Sequence, residues 1–324
     1  MIDSLGLPAI RNFDDLAQHL RLSRNLVYWL ASESPRKYCR HEIPKRDGTR
    51  REISAPVKSL KVVQRWVLSE ILYKLKVSPY SYGFAKGKGS PLAQCAQKHR
   101  RNLYILKIDI RHFYPSIPRK KVYGLFVSIG YNSSAANLLT NICTYNGSLP
   151  QGAVTSACLA NLICRNLDYR IAAYCNKREI VYTRYADDLT FSCDNRDTLR
   201  GIYRTVQKIL EEEGYQINQG KTQFLSPKCR KRILGITIND GLVKAPKEMK
   251  RQVRAMIYQS IVLGNHLQDE KIKGYVAYIK SIEPKYDERV QRYCEKLSQM
   301  TAMEGGLEDK YNDFFELPDI PNFS

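Results

Sequence analysis

The sequence is poor in the residues that build soft-metal sites, and it has no long apolar run. Its 324 residues include only 5 His, and 9 Cys stand at positions 39, 95, 143, 158, 164, 175, 193, 229 and 294 with no Cys-x-x-Cys pair among them. That pattern argues against a structural zinc site, which needs four closely placed thiolate or imidazole donors. Several thiols sit in apolar stretches, Cys158 and Cys164 in SACLANLIC, and read as small buried side chains in a reducing compartment. No stretch of about 18 uncharged apolar residues occurs, which leaves no candidate membrane span. The opening MIDSLGLPAI carries Asp3 and lacks a basic start before an apolar run, so no signal peptide is expected. A soluble, cytoplasmic protein without a membrane partner is the expectation. Fixed-period repeats and low-complexity tracts are also missing.

Positive charge is plentiful. Fifty-two Lys and Arg against 32 Asp and Glu leave a net charge of +20. That sign suits a protein resting on a polyanion, because every phosphate it neutralises releases a condensed counterion. Plain solubility and acidic membranes are the competing explanations. The 22 Tyr interleaved with the basic segments, and the lack of a separate basic amphipathic helix, favour nucleic acid. A 43 % hydrophobic and 10 % aromatic content supplies a core for one or two lobes plus an appendage.

Hydrophobic periodicity predicts a mixed α+β body to about residue 240, followed by a helical bundle. Helices are expected over 12–31, 59–76 (Ser59 as cap), 91–99, 119–129, 134–143, 156–175 and 196–213, the last stopped by Gly214. Three more cover 247–263, 266–282 and 286–299. KYCRHEIPK and RREISAP read as a cationic hairpin around the turn Lys45-Arg46-Asp47-Gly48. A basic, glycine-rich loop spans Tyr82 to Gly89. A buried strand runs from Tyr104 to Ile110, a strand pair covers 179–193, and short strands fall at 222–225 and 232–238. The closing EGGLEDKYNDFFELPDIPNFS is acidic and aromatic, either a loose tail or a segment that docks a partner.

The chemistry concentrates in Ile180-Val181-Tyr182-Thr183-Arg184-Tyr185-Ala186-Asp187-Asp188-Leu189-Thr190-Phe191-Ser192. Apolar alternation on both flanks predicts a hairpin whose tip presents two adjacent carboxylates. Asp is common in turns, but two neighbouring carboxylates on an apolar hairpin repel each other, and a divalent cation would relieve that cost. Asp109 ends the strand YILKI, where an ionised carboxylate is costly unless paired or bound to metal. Three carboxylates from two strands suit two magnesium ions about 4 Å apart, an arrangement that serves phosphoryl transfer. Oxygen-only donors match magnesium rather than zinc.

The Asp109 strand, Leu149-Pro150-Gln151-Gly152 and Tyr185-Ala186-Asp187-Asp188 stand in the order and rough spacing of reverse transcriptases, a resemblance that covers roughly residues 36–300. The closer likeness is to bacterial retron reverse transcriptases: IDIRHFYPSI and YTRYADDLTFS resemble their two catalytic segments, and GYVAYIKSIEPKY resembles their thumb. Their Asn-Ala-x-x-His stretch appears as Cys95-Ala96-Gln97-Lys98-His99, and their Val-Thr-Gly as Ile233-Leu234-Gly235.

The resemblance implies a right-hand polymerase fold with a helical thumb. In it, 1–35 form a helical extension, 36–105 and 112–150 the fingers with part of the palm, 105–112 and 150–240 the palm, 241–302 the thumb and 303–324 an acidic tail. It also implies an RNA-directed DNA polymerase in which Asp109, Asp187 and Asp188 hold two Mg2+ ions. Lys45, Arg51, Gln151 and Lys221 would meet the deoxynucleotide triphosphate, and Tyr114 would exclude a 2′-hydroxyl. Solvated-surface or core roles compete for each of these. Lys247, Lys250, Arg251 and Arg254 on one helix, with Arg289, Arg292 and Lys296 on another, would hold RNA through phosphates. Further implied are a structured non-coding RNA as template and primer, a branched RNA–DNA product, a separate effector protein and a role in antiphage defence. Two alternatives stay open: a group II intron-like or other bacterial reverse transcriptase, and a non-catalytic RNA-binding scaffold on the same fold.

Overall fold

The computed structural model describes residues 2–32, 35–44, 48, 50–84, 90–239 and 241–303. The turn residues 45–47, and with them Lys45, the loop residues 85–89 and the acidic tail 304–324 lie outside the described residues. Two compact units share the chain, one from Met1–Lys86 with Leu103–Phe224, the other from Gly87–Asn102 with Leu225–Ser324.

In the first unit, the helix expected over 12–31 is two helices, α1 (Phe13–Leu20) and α2 (Arg24–Ala31). Arg21 in the left-handed region (φ 54°) ends the first, and the Ser23 hydroxyl caps the second. The strands β1 (Tyr38–Pro44) and β2 (Arg50–Pro56) pair antiparallel as expected, with Glu42 opposite Glu52. Helix α3 (Lys58–Glu70) begins one residue before Ser59, so Ser59 lies inside the helix and caps nothing; Val57 holds the cap position without a side-chain bond. Its apolar stripe of Leu60, Val63 and Val67 is buried, and a short 3₁₀ turn over Leu72–Lys74 replaces the expected last turn. Helix α4 (Pro91–Lys98), capped by Ser90, belongs to the second unit.

The sheet forms where apolar, β-branched residues crowd together. Strand β3 (Tyr104–Asp109) is central, and β4 (Val181–Tyr185), β5 (Asp188–Cys193) and the short β6 (Gln223–Leu225) complete the order β4-β5-β3-β6. Helices α5 (Arg119–Ser128) and α6 (Ser133–Cys143) pack together, close to their expected bounds. The single helix expected over 156–175 is broken at Cys164 into α7 (Ser156–Ile163) and α8 (Arg165–Asn176). The Cys164 N–H turns back to the carbonyls of Ala160 and Leu162. Helix α9 (Arg196–Glu212) buries Leu199, Ile202, Val206 and Leu210, and packs with α8 and with β3 and β5.

In the second unit, the strand expected over 232–238 is a hairpin of β7 (Lys231–Ile233) and β8 (Ile236–Asn239). Leu234 (φ 50°) and Gly235 (φ 82°) make the reversal, and β9 (Leu242–Lys244) adds a third strand. Helix α4 packs on β8 and β9, and Lys231 donates to the Asn102 carbonyl at 3.0 Å. Helix α4 and these strands fall in one unit with the C-terminal helices. Those helices are α10 (Lys247–Ile261), α11 (Asp269–Ile282) and α12 (Tyr286–Met303), joined through buried Val253, Ile257, Ile272, Val276, Ile279 and Cys294.

Candidate active site

Pairing between β3 and β5 sets Asp109 opposite Asp188, and pairing between β4 and β5 sets Tyr185 opposite Asp188. Ala186 and Asp187 are thus a two-residue hairpin tip, with Ala186 at φ 54°. The Asp187 carbonyl accepts from Ile110 N–H at 2.9 Å, which ties the tip to the end of β3. Directly opposed residues of an antiparallel pair project to the same face, so the register brings Asp109 and Asp188 together, with Asp187 adjoining. Asp109 is 7 % exposed; its carbonyl accepts from Asn218 N–H at 2.8 Å, and its Oδ2 accepts from Lys221 Nζ at 3.0 Å.

Burial raises the Asp187 pKa; the Asp109 charge adds to the rise, while Lys221 and Arg51 oppose it. Asp188 is pushed up to about 6, first by burial and then by the Asp187 charge, with Lys107 opposing. A carboxyl raised in the folded state penalises folding above that value, and the penalty disappears as pH falls towards the ordinary carboxylate value. Accordingly, in EDTA the melting-temperature gain of Asp188→Asn over the parent should be present at pH 8 and shrink towards pH 5. A gain that is flat with pH would show Asp188 to be unstrained.

Among the described residues, no three acidic, His or Cys side chains are already gathered as a metal cluster, and Asp109 is engaged by Lys221. The donors are nevertheless carboxylate oxygens alone, crowded by like charge, and that set fits magnesium.

Under the tip lies a buried polar network that sequence reasoning missed. Arg184, with no exposed surface, donates to Asp168 from Nε to Oδ1 and from Nη2 to Oδ2, both at 2.7 Å. Its Nη1 donates to Asn161 Oδ1 (3.0 Å) and to the Ala186 carbonyl (3.2 Å). Tyr182 donates to Asp168 at 2.9 Å, and Asn161 donates to the Gly83 carbonyl at 2.6 Å. The break at Cys164 sets the helices that carry Asn161 and Asp168. Backbone bonds from Tyr82 N–H to the Arg184 carbonyl and from Arg184 N–H to the Tyr80 carbonyl, both 2.8 Å, lay residues 80–83 along β4. A Cβ at Gly83 would stand 2.8 Å from Ala186 N, so only glycine permits that approach. The available signal was period 2: Tyr182 and Arg184 share a face of a buried strand, and a buried guanidinium needs a carboxylate.

The remaining expected residues divide. Tyr114 is half-buried beside the buried Phe113, with ring centroids 5.3 Å apart. Its phenol is pushed up to about 12 by burial, then by the charges of Asp187 and Tyr185, with Arg184 and Arg51 opposing. Tyr114 and Arg51 therefore sit in the field of Asp187. Gln151 offers its carbonyl to Ser54 N–H at 2.8 Å. Gly152 follows at φ 121°, where a Cβ would come 2.7 Å from Ile53 Cγ2 and 2.8 Å from the Ser54 carbonyl.

In the second unit Lys247, Arg251, Arg254, Arg292 and Lys296 are exposed. Lys250 and Arg289 instead converge on Glu283, which also accepts from Ala245 N–H at 2.8 Å. His99 is fully buried, and burial lowers its pKa to about 3, which suits a neutral core imidazole.

Residues 43–238 match the family model for reverse transcriptase (RNA-dependent DNA polymerase). The chain is 36 % identical over 298 residues to the Retron Ec86 reverse transcriptase of Escherichia coli, covering 91 % of this chain and 92 % of that one. It is 32 % identical over 310 residues to the Retron Mx65 reverse transcriptase of Myxococcus xanthus, covering 89 % and 72 %. Among solved structures, telomerase from Candida albicans in complex with a fragment of telomeric RNA aligns with a TM-score of 0.52 at 12 % identity, over 82 % of this chain and 61 % of that one. Apo telomerase from Candida tropicalis aligns at 0.51 and 13 %, over 81 % and 58 %. The fold is thus the right-hand polymerase fold expected from the motifs.

Proposed function

The chain belongs to the retron reverse transcriptases, RNA-directed DNA polymerases, and from that premise we propose that it copies part of a structured non-coding RNA into single-stranded DNA left as a branched RNA–DNA hybrid. The observation that carries the catalytic assignment is the register of Asp109 opposite Asp188, with Asp187 at the adjoining tip.

The reaction forms a bond between a primer hydroxyl oxygen and the α-phosphorus of a deoxynucleotide. The α–β phosphoanhydride bond breaks, pyrophosphate leaves, and the hydroxyl proton is released. Asp109, Asp187 and Asp188 would hold two magnesium ions, which supply a lowered hydroxyl pKa and neutralise charge on the triphosphate. Arg51, with its planar bidentate donors, and Lys45 would grip triphosphate oxygens. Lys221, 51 % exposed beyond its contact with Asp109, would exchange that partner for phosphate. Gln151 would line the nucleotide and template path. Lys247, Arg251, Arg254, Arg292 and Lys296 would contact RNA phosphates from a helical thumb, while Lys250 and Arg289 shape that bundle through Glu283. A separate effector protein and a role in cytoplasmic antiphage defence complete the reading.

Purifying the protein from its host and treating the co-purifying nucleic acid separately with RNase and DNase tests it. A discrete small species sensitive to both is expected; RNA alone in every preparation would refute the branched product.

Tyr114 is assigned the space beneath the sugar. Tyr114→Ala should raise ribonucleotide over deoxynucleotide use by roughly tenfold or more, the scale on which a pocket rejects one small group. Extension assays with paired nucleotides measure it, and unchanged discrimination would remove the role.

A further inference from the structure

Helix α9 carries Arg196, Arg200, Arg204 and Lys208, four cations at a strict spacing of four, and all are exposed. Residues four apart lie one above the other on a helix, about 6 Å apart along the axis, in a row inclined about 26° to it. No ion pair engages any of the four among the described residues. The nearby acids are otherwise occupied: Glu212 and Glu213 take both arms of Arg170, and Glu211 accepts from Gln207 at 2.9 Å. Asp197 adjoins the head of the row, as does Asp194, which accepts from Leu103 N–H at 2.8 Å.

The arrangement works against the helix. Like charges at i,i+4 destabilise it by roughly 0.2–0.5 kcal/mol per pair. Arg196 also sits in the first turn, where the helix dipole disfavours a cation. Asp197 in the first turn and the Phe224 ring beside Arg200 offset this only in part, so a polyanion outside the unit is the natural counterpart. Membrane is a poor candidate, because the apolar face of α9 (Leu199, Ile202, Val206 and Leu210) is buried, and the half-buried Tyr203 and Phe224 beside the row pack against the core rather than standing out to enter a bilayer. The Arg200 guanidinium lies 5.6 Å from the Phe224 ring centroid. The face is separate from Asp109, Asp187 and Asp188, since α9 presents it away from the β3 and β5 strands on which its apolar side packs.

We propose that the α9 row is a docking track for the phosphate backbone of a base-paired RNA stem, used to hold the structured RNA rather than to perform chemistry. It rests on the reading that this enzyme retains a structured RNA, and adds a second place where that RNA is held.

The full-length protein, freed of nucleic acid, is titrated with a fluorescein-labelled RNA hairpin carrying a stem of about 16 base pairs. Parent, Arg196→Gln/Arg200→Gln, Arg204→Gln/Lys208→Gln and the fourfold variant are compared at several salt concentrations. The fourfold variant should bind roughly tenfold more weakly or worse, and its plot of log affinity against log salt should lose about 3 units of slope. Each two-residue variant should lose about half of that, which decides the matter even if the fourfold variant fails to fold. Extension of a short oligonucleotide-primed template should keep its rate. Variants that match the parent in affinity and slope would overturn the track. Parent that binds anionic phosphatidylserine vesicles more tightly than the hairpin would also overturn it. A parent that binds no hairpin would instead remove the structured-RNA reading itself.

Discussion

Asp187→Asn should abolish DNA synthesis, by roughly 10³-fold or more, while RNA binding stays close to that of the parent. The substitution is nearly isosteric, and it leaves the Asp187 carbonyl free to hold Ile110 N–H, so the hairpin tip keeps its place. What it removes is one of three crowded charges. Relief of that crowding should leave the metal-free protein as stable as the parent or more so, because burial and the Asp109 charge penalise the ionised Asp187. A lost activity thus cannot be blamed on unfolding. Magnesium-dependent extension of a primed RNA template provides the readout. Synthesis near the parental rate would take Asp187 out of the catalytic set.

The second large effect falls on a residue that touches no substrate. Asp168→Ala strands the Arg184 guanidinium, which has no exposed surface, and breaking such a pair from one side costs about 3–5 kcal/mol. For a chain of this size the melting temperature should fall by roughly 4–7 °C. Replacing both partners, Asp168→Leu with Arg184→Met, should recover much of the lost stability, because apolar side chains of similar volume can stand in for a buried pair. Synthesis should not recover with it, since Arg184 Nη1 no longer holds the Ala186 carbonyl beneath the two aspartates. Thermal melts and extension rates on the two variants separate packing from positioning. If the double variant regains both, Arg184 is only a packing element.

The two networks differ in how openly the sequence announces them. Tyr185-Ala186-Asp187-Asp188 was legible because alternation, a turn and two adjacent carboxylates all occur within a dozen residues. Pairing Asp109 with it needed only the end of one apolar strand. Arg184 stood in plain view, yet its partners Asn161 and Asp168 lie on two helices that periodicity fused into one over 156–175. Helical patterning continues unbroken through Cys164; the corner lies in its backbone, whose ψ of 3° departs from the helical value. The same limit fused β7 and β8, since apolar alternation runs through Leu234-Gly235 without marking the reversal. In the helical bundle, counting cations could not tell Lys250 and Arg289 from their neighbours. Glu283, distant from Lys250 in sequence, claims both.

Gly83 and Gly152 bring main chain against main chain at the hairpin tip and at the Ser54 edge. Walls of that kind cannot be retuned by exchanging side chains, because even a methyl group at either place displaces a whole segment. If Arg51, Tyr114 and Gln151 meet the nucleotide as proposed, substrate preference would change through their exchangeable side chains. On that proposal, mutational libraries aimed at new nucleotide selectivity would vary those three positions and hold both glycines constant.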